Sequence, residues 1–114
     1  MALVNITVYN DADFYRTFAC QTVAGDPIDL TGGTMEMMLR RHATDVTAML
    51  RLATDTGEIV IFDPVGGMFT VRITQAQLEE LGLGDYDQSN ILSIGGNKVR
   101  IWSGTLTNNA GATR

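Results

Sequence analysis

The feature of this sequence that most constrains its fold is a set of short runs of period-two alternation, each stopped by Gly, Pro, Asp or Asn. Residues 4–8 set Val4, Ile6 and Val8 against Asn5 and Thr7, and residues 34–41 set Met35, Met37 and Leu39 against Thr34, Glu36, Met38 and Arg40. Phe69, Val71 and Ile73 form the cleanest such face, opposite Met68, Thr70 and Arg72. A strand sorts residues at this spacing onto two faces, whereas a helix would scatter them. The breaks fall at Asn10-Asp11-Ala12-Asp13, Ala24-Gly25-Asp26-Pro27, Thr31-Gly32-Gly33 and Asp63-Pro64-Val65-Gly66-Gly67. These residues favour turns because Gly admits positive φ, Pro fixes its own φ, and Asx side chains bond nearby backbone. About seven or eight short strands at roughly 8–12-residue spacing predict an all-β fold, an antiparallel β-sandwich that is Ig-like or jelly-roll-like.

Residues 14–23 read as a second strand with Phe14, Phe18 and Cys20 on one face, Phe14 and Phe18 chosen for the core, and Arg16 between them reaching water at an edge. Residues 48–53 form a less sharply patterned strand, and Asp55-Thr56-Gly57 reads as a hairpin turn leading into Ile59 and Ile61. The sequence predicts one helix, over residues 75–81. Thr74 and Gln77 have the spacing of a capping box, Leu78 and Leu81 share a face, and Gly82 supplies the stop. The last strands, residues 86–94 and 98–106, flank Gly95-Gly96-Asn97, a pairing suited to a tight hairpin. In this reading Val99 and Ile101 face one way and Trp102 the other. The chain reads as a single domain over residues 1–114, with a flexible, small and polar tail at about 107–114.

Apolar residues make up 45% of the chain and charged residues 18%, a balance that supports a folded core. Eight Lys and Arg against 13 Asp and Glu give a net charge of −5, with no basic cluster longer than Arg40-Arg41, so nucleic acid is not an expected partner. No stretch approaches the length of a membrane span, and the N-terminus lacks the pattern of a signal peptide. Synthesis and folding in a reducing cytoplasm are expected.

The chain carries little that could do chemistry. Cys20 is the only cysteine, which leaves no partner for an intramolecular disulfide or a thiolate metal cluster. His42, the only histidine, falls in a polar loop with no nucleophile pattern beside it. The Gly pairs lack the spacing of phosphate-binding loops. Asp11-x-Asp13 and Asp85-x-Asp87 do not continue as a calcium loop, so turn and cap roles are expected of them. No catalytic residue, metal or cofactor is predicted. Trp102 and Tyr86 remain as large amphipathic rings able to serve as a protein hot spot or a sugar-stacking platform, with burial in a sandwich core as the alternative.

The order of several short motifs resembles a known group. Asp26-Pro27-Ile28-Asp29-Leu30-Thr31-Gly32 precedes an alternating strand ending in Arg40. Gly67-Met68-Phe69-Thr70-Val71, Thr74-Gln75-Ala76-Gln77-Leu78 and Leu83-Gly84-Asp85-Tyr86 follow in turn. Arg100-Ile101-Trp102-Ser103-Gly104-Thr105-Leu106 and a terminal Thr113-Arg114 complete the series over nearly the whole chain. This order resembles small tailed-phage virion proteins that are similar to the N-terminal domain of baseplate upper proteins. The chain departs from that pattern at Asp87-Gln88, where such proteins repeat an aromatic-Asp pair, and at Gly111-Ala112 before the final Thr-Arg.

The resemblance implies a β-sandwich that acts in the virion by docking to other structural proteins of tail, neck, baseplate or capsid. It would be an adaptor, a decoration or a fibre-attachment module, either a trimer or a monomer. A carbohydrate-binding sandwich using Trp102 or Tyr86 is the alternative. The segments predicted to meet partners are the N-terminal strand, with Val4, Ile6 and Val8, the rings of Tyr86 and Trp102, and the tail with Thr107, Thr113 and Arg114. Sheet edges support this placement, since an unpaired strand edge is a template for another strand.

Overall fold

The computed structural model describes residues 2–113. The alternating runs form strands, and the strands sort into two sheets. The first sheet holds β1 (Ala2–Leu3), β2 (Ile6–Tyr9), β4 (Thr34–Arg40), β5 (Leu50–Ala53), β8 (Gly84–Ile94) and β9 (Asn97–Asn109). The second holds β3 (Phe14–Ala19), β6 (Ile59–Asp63) and β7 (Met68–Ile73), and a single helix α1 (Gln75–Leu81) bridges β7 to β8. The order across the large sheet is β1-β9-β8-β4-β5, with β2 also on β9, and across the small sheet β3-β7-β6. This is the strand order of a variable-type immunoglobulin sandwich, with the N-terminal strand beside the last one and an extra strand beyond β4.

Period-two patterning places the core as expected. Met35, Met37 and Leu39 from β4 and Phe69, Val71 and Ile73 from β7 are buried and face each other across the sandwich. α1 begins as the sequence predicts: Thr74 accepts from Gln77 N at 3.2 Å, and Gln77 Oε1 accepts from Thr74 N at 2.9 Å. Leu78 and Leu81 pin the helix to the core. The β8–β9 hairpin closes through Gly95 and Gly96, both at positive φ, with Ile94 opposite Asn97.

Four expectations need correction. Asp55-Thr56-Gly57 does not close a hairpin, because β5 pairs with β4 while β6 pairs with β7; the turn carries the chain from one sheet to the other. Turn residues specify a reversal of direction and leave open which strand is met on the far side.

Val99 and Trp102 do not face opposite ways. A bulge between Asn90 and Ile91 sets Trp102 opposite Asn90 and Val99 opposite Leu92, so both point inward.

The N-terminal run is two pieces, β1 and β2, on one register, with Leu3 opposite Ser103 and Ile6 opposite Leu106. Both run parallel to β9. At the break, Asn5 Oδ1 accepts from Thr105 N at 3.1 Å, and Gly104 lets the Val4 carbonyl come so close that any side chain there would collide with it.

The tail does not begin at Thr107. Residues 107–109 complete β9, where Thr107 lies between Thr7 and Asp85, because β2 supplies a neighbour that the local composition does not reveal.

Candidate functional site

Where each sequence-derived candidate falls is set by which face of its strand meets the other sheet. On β9, Trp102 points inward and is 3% exposed. Its ring packs against Phe18 and Phe69, with centroids 4.7 and 5.7 Å away, and its Nε1 donates to Gln88 Oε1 at 2.7 Å. Gln88 Nε2 then donates to Val4 O at 2.7 Å, tying the N-terminal strand to the same centre. In immunoglobulin sandwiches the position two residues after the corner tyrosine carries a disulfide cysteine. Here it carries Gln88, whose amide bonds run within the large sheet, to Trp102 on β9 and to Val4 beside it. Cys20 is free and buried, and burial pushes its thiol pKa up.

Tyr86 is likewise interior, 1% exposed. Its hydroxyl donates to Leu81 O, with Gly82 O 2.8 Å away, and so closes the corner between α1 and β8. Arg41 stacks on the ring at 4.2 Å and donates to Leu83 O at 2.8 Å. Tyr86 therefore offers no surface for a partner or a sugar ring, and Trp102 is buried save where it lines a cleft between the sheets. Ile6 and Val8 are buried and Val4 is half-buried, so the N-terminal strand also turns its apolar side chains inward.

The predicted tail contacts are mostly internal. Thr107 Oγ1 donates to Asp85 Oδ1 at 2.7 Å, Thr113 N donates to Asp11 Oδ2 at 3.3 Å, and Gly111 N donates to Asn10 Oδ1 at 2.9 Å. Arg114 lies outside the described residues. The acidic pairs hold turns and caps: Asp13 Oδ1 accepts from Gln75 N at 2.7 Å at the start of α1, and Asp87 Oδ2 accepts from Ala43 N at 2.9 Å. Among the described residues no three His, Cys, Asp or Glu side chains gather as metal ligands. His42 is exposed in the loop after β4.

The surface the sequence did not single out lies on the small sheet. Its outer face presents Tyr15 at 66% exposure, Phe62 at 53% and Val60 at 49%, around Thr70. β3 pairs with β7 alone, so its other edge is open among the described residues. Beside that edge, between the sheets, runs a cleft of about 420 Å³ lined by Val4, Phe18, Ile28, Val99, Ile101 and Trp102. Alternation over residues 14–19 gave the two faces of β3. That β3 is an edge strand depends on where the N-terminal strand goes, some hundred residues away in pairing.

Replacing Tyr86 by Phe tests the corner. The variant is expected to lose about 1–3 kcal/mol, since the Leu81 carbonyl keeps its burial and loses its donor. Burial raises the Tyr86 pKa above its ordinary value, opposed in part by Arg41. A raised acid pKa means that this contribution is intact below the unfolded value of about 10 and is lost as pH climbs through the folded one. Melting temperatures between pH 8 and 11 should therefore fall more steeply at the alkaline end for the parent chain than for Tyr86→Phe.

No family model matches the sequence, and none of the curated proteins matches it. Solved structures are similar in fold. The NK cell receptor Nkp44 matches over 97% of this chain and 100% of that chain, at 12% identity and a TM-score of 0.50. The N-terminal domain of phage TP901-1 ORF48 matches over 92% of this chain and 82% of that one, at 16% identity and a TM-score of 0.47. The N-terminal Ig1-2 module of the Drosophila receptor protein tyrosine phosphatase DLAR matches over 95% of this chain and 46% of that one, at 17% identity and a TM-score of 0.45. At these identities the likeness speaks to the fold alone, an all-β sandwich of immunoglobulin type.

Proposed function

We propose that this chain is a structural protein of a tailed-phage virion, an adaptor, decoration or fibre-attachment module that works by docking to other virion proteins and catalyses nothing. The collinear motifs from Asp26-Pro27 to Arg100-Ile101-Trp102 support the phage setting. The observation that carries the docking role is the small sheet, which leaves the edge of β3 unpaired and turns Tyr15, Val60 and Phe62 to solvent. An unblunted edge beside exposed aromatic and branched side chains is a liability for a free monomer and an asset for an assembled one. The carboxylates of Asp13, Asp85 and Asp87 are engaged in hydrogen bonds within the fold. With Trp102 and Tyr86 interior, the sugar-binding alternative loses the rings it was built on.

The test is protein composition of density-purified particles of the parent phage by quantitative mass spectrometry. The expected result is this chain at a fixed ratio to the major capsid or tail protein. Particles that lack it, from a lysate that contains it, would end the virion reading.

A further inference from the structure

Constant-type immunoglobulin sandwiches carry a four-stranded sheet in which the first strand flanks the second. Here residues 2–9 lie along β9, so among the described residues the small sheet has three strands and the position beside β3 is open. The hydrogen-bonding capacity of that edge follows from alternation. Cys20 N donates to Gly67 O at 2.8 Å, towards the β7 side. In an antiparallel ladder successive residues point to opposite sides, so the N–H and C=O groups of Tyr15, Thr17 and Ala19 point away from β7. Three donors and three acceptors are thus presented in a row on an unbroken strand. The outer edge of the large sheet, by contrast, is interrupted at Val4 and Asn5 between β1 and β2.

The cleft supplies the second half of a recognition site. A strand added to β3 would direct alternate side chains between the sheets, towards Phe18, Ile28, Val99, Ile101 and Trp102. The chemistry of the rim decides what such a strand should carry. Arg16 projects from the inner face of β3, its guanidinium 5.4 Å from the Phe14 ring and 5.9 Å from Phe18. Arg100 borders the cleft from β9, but its place opposite Ile91 turns its side chain to the outer face of the large sheet. The charged side chain on the inner face of β3 is therefore cationic, on a chain whose net charge is −5. Asp13, just before β3, is committed to the first N–H of α1. Arg16 has no ion-pair partner among the described residues.

We infer that the open edge of β3 and the adjoining cleft receive an extended segment of another virion protein, apolar at alternate positions and acidic where it meets Arg16. It joins the small sheet as a fourth strand: main-chain hydrogen bonds hold it, and the cleft and Arg16 select it. This rests on the docking role proposed above and names its surface.

Two variants and one parent measurement test it in the particles of the parent phage. Thr17→Pro removes an N–H that β7 does not use, at an edge position where proline is tolerated in sheets. Arg16→Glu reverses the charge on an exposed side chain without touching the ladder. Each variant is expected to melt within a few degrees of the parent and to fall at least tenfold in particle incorporation. Amide exchange on the free domain is expected to be fast at Tyr15, Thr17 and Ala19 and slow at Arg16 and Phe18. If the parent chain is present in particles and both variants are incorporated at parental level, the strand-addition inference fails while the virion role stands. If the parent chain itself is absent from particles, both fail. Should Thr17→Pro unfold, the charge reversal at Arg16 decides alone. A parent dimer in sedimentation that Thr17→Pro converts to monomer would overturn the assignment to another protein, giving the edge to a second copy of this chain.

Discussion

Trp102→Ala should lose about 3–5 kcal/mol, the usual cost of deleting a buried indole when its surroundings collapse only in part. Domains of this size hold on the order of 5–15 kcal/mol in all, so a large share of the stability goes with one side chain. Three effects add at this site. The rings of Phe18 and Phe69 lose the partner that lies 4.7 and 5.7 Å from them. Gln88 Oε1, buried, loses its donor, and a buried acceptor without a partner is itself costly. The amide of Gln88 is then freer to release Val4 O, loosening the N-terminal strand where β1 and β2 meet. Urea unfolding followed by circular dichroism measures the loss. Trp102→Phe should recover the ring packing and leave the Gln88 deficit, so its midpoint should lie between those of the parent and the alanine variant. An alanine variant as stable as the parent would mean the indole is not in the core. The same result bears on sugar binding: any ligand lost with Trp102→Ala has to be separated from loss of the fold, because the ring is interior.

Gly67→Ala is the second large expectation, for a backbone reason. Gly67 ends the turn between β6 and β7 at φ +70°, where an L side chain costs about 1–2 kcal/mol. A Cβ there would also stand 2.6 Å from Cys20 O and 2.7 Å from Ile28 O, two backbone atoms that cannot rotate away. The chain after β3, the segment entering residue 28 and the β6–β7 turn cross at this point, held by Cys20 N to Gly67 O at 2.8 Å and Ile28 N to Cys20 O at 2.9 Å. We expect a loss of about 3 kcal/mol or more, in the range reserved for strain and overpacking. Gly57→Ala is the control, because Gly57 has φ +87° with nothing within 4 Å of its Cβ position, so it should show the conformational cost alone. Equal shifts in urea midpoint for the two variants would refute the steric part of the argument. Because Cys20 and Ile28 also line the cleft beside β3, Gly67→Ala should disturb the proposed docking edge as well as the fold.

These two positions mark how legibility in the sequence divides. The strand faces, the capping box of Thr74 and Gln77 and the two-residue hairpin at Gly95 and Gly96 could be read from the chain, because each depends on neighbours a few residues away. The all-β sandwich followed from their number and spacing. The candidate interface residues were misjudged for the opposite reason. Large rings at Tyr86 and Trp102 look the same in a sequence whether they cover a core or face a partner, and which occurs depends on the opposite sheet. A one-residue bulge was enough to turn Val99 and Trp102 to the same side. The departure at Gln88 was visible as an anomaly, and its meaning appeared only when Trp102 and Val4 were found at the two ends of its amide.

By itself, then, the sequence determined where strands and turns lie, that they make a β-sandwich, and where its one helix starts and stops. These are local matters of side-chain period and backbone dihedral, decided within a few residues. Only the tertiary structure decided that the N-terminal segment runs parallel to β9, that residues 107–109 belong to a strand, that β5 and β6 sit in different sheets, and hence that β3 is left with an open edge. Each of these depends on pairing between segments far apart in the chain, Asn5 with Thr105 or Thr7 with Thr107, and period-two alternation is satisfied equally well by any partner strand.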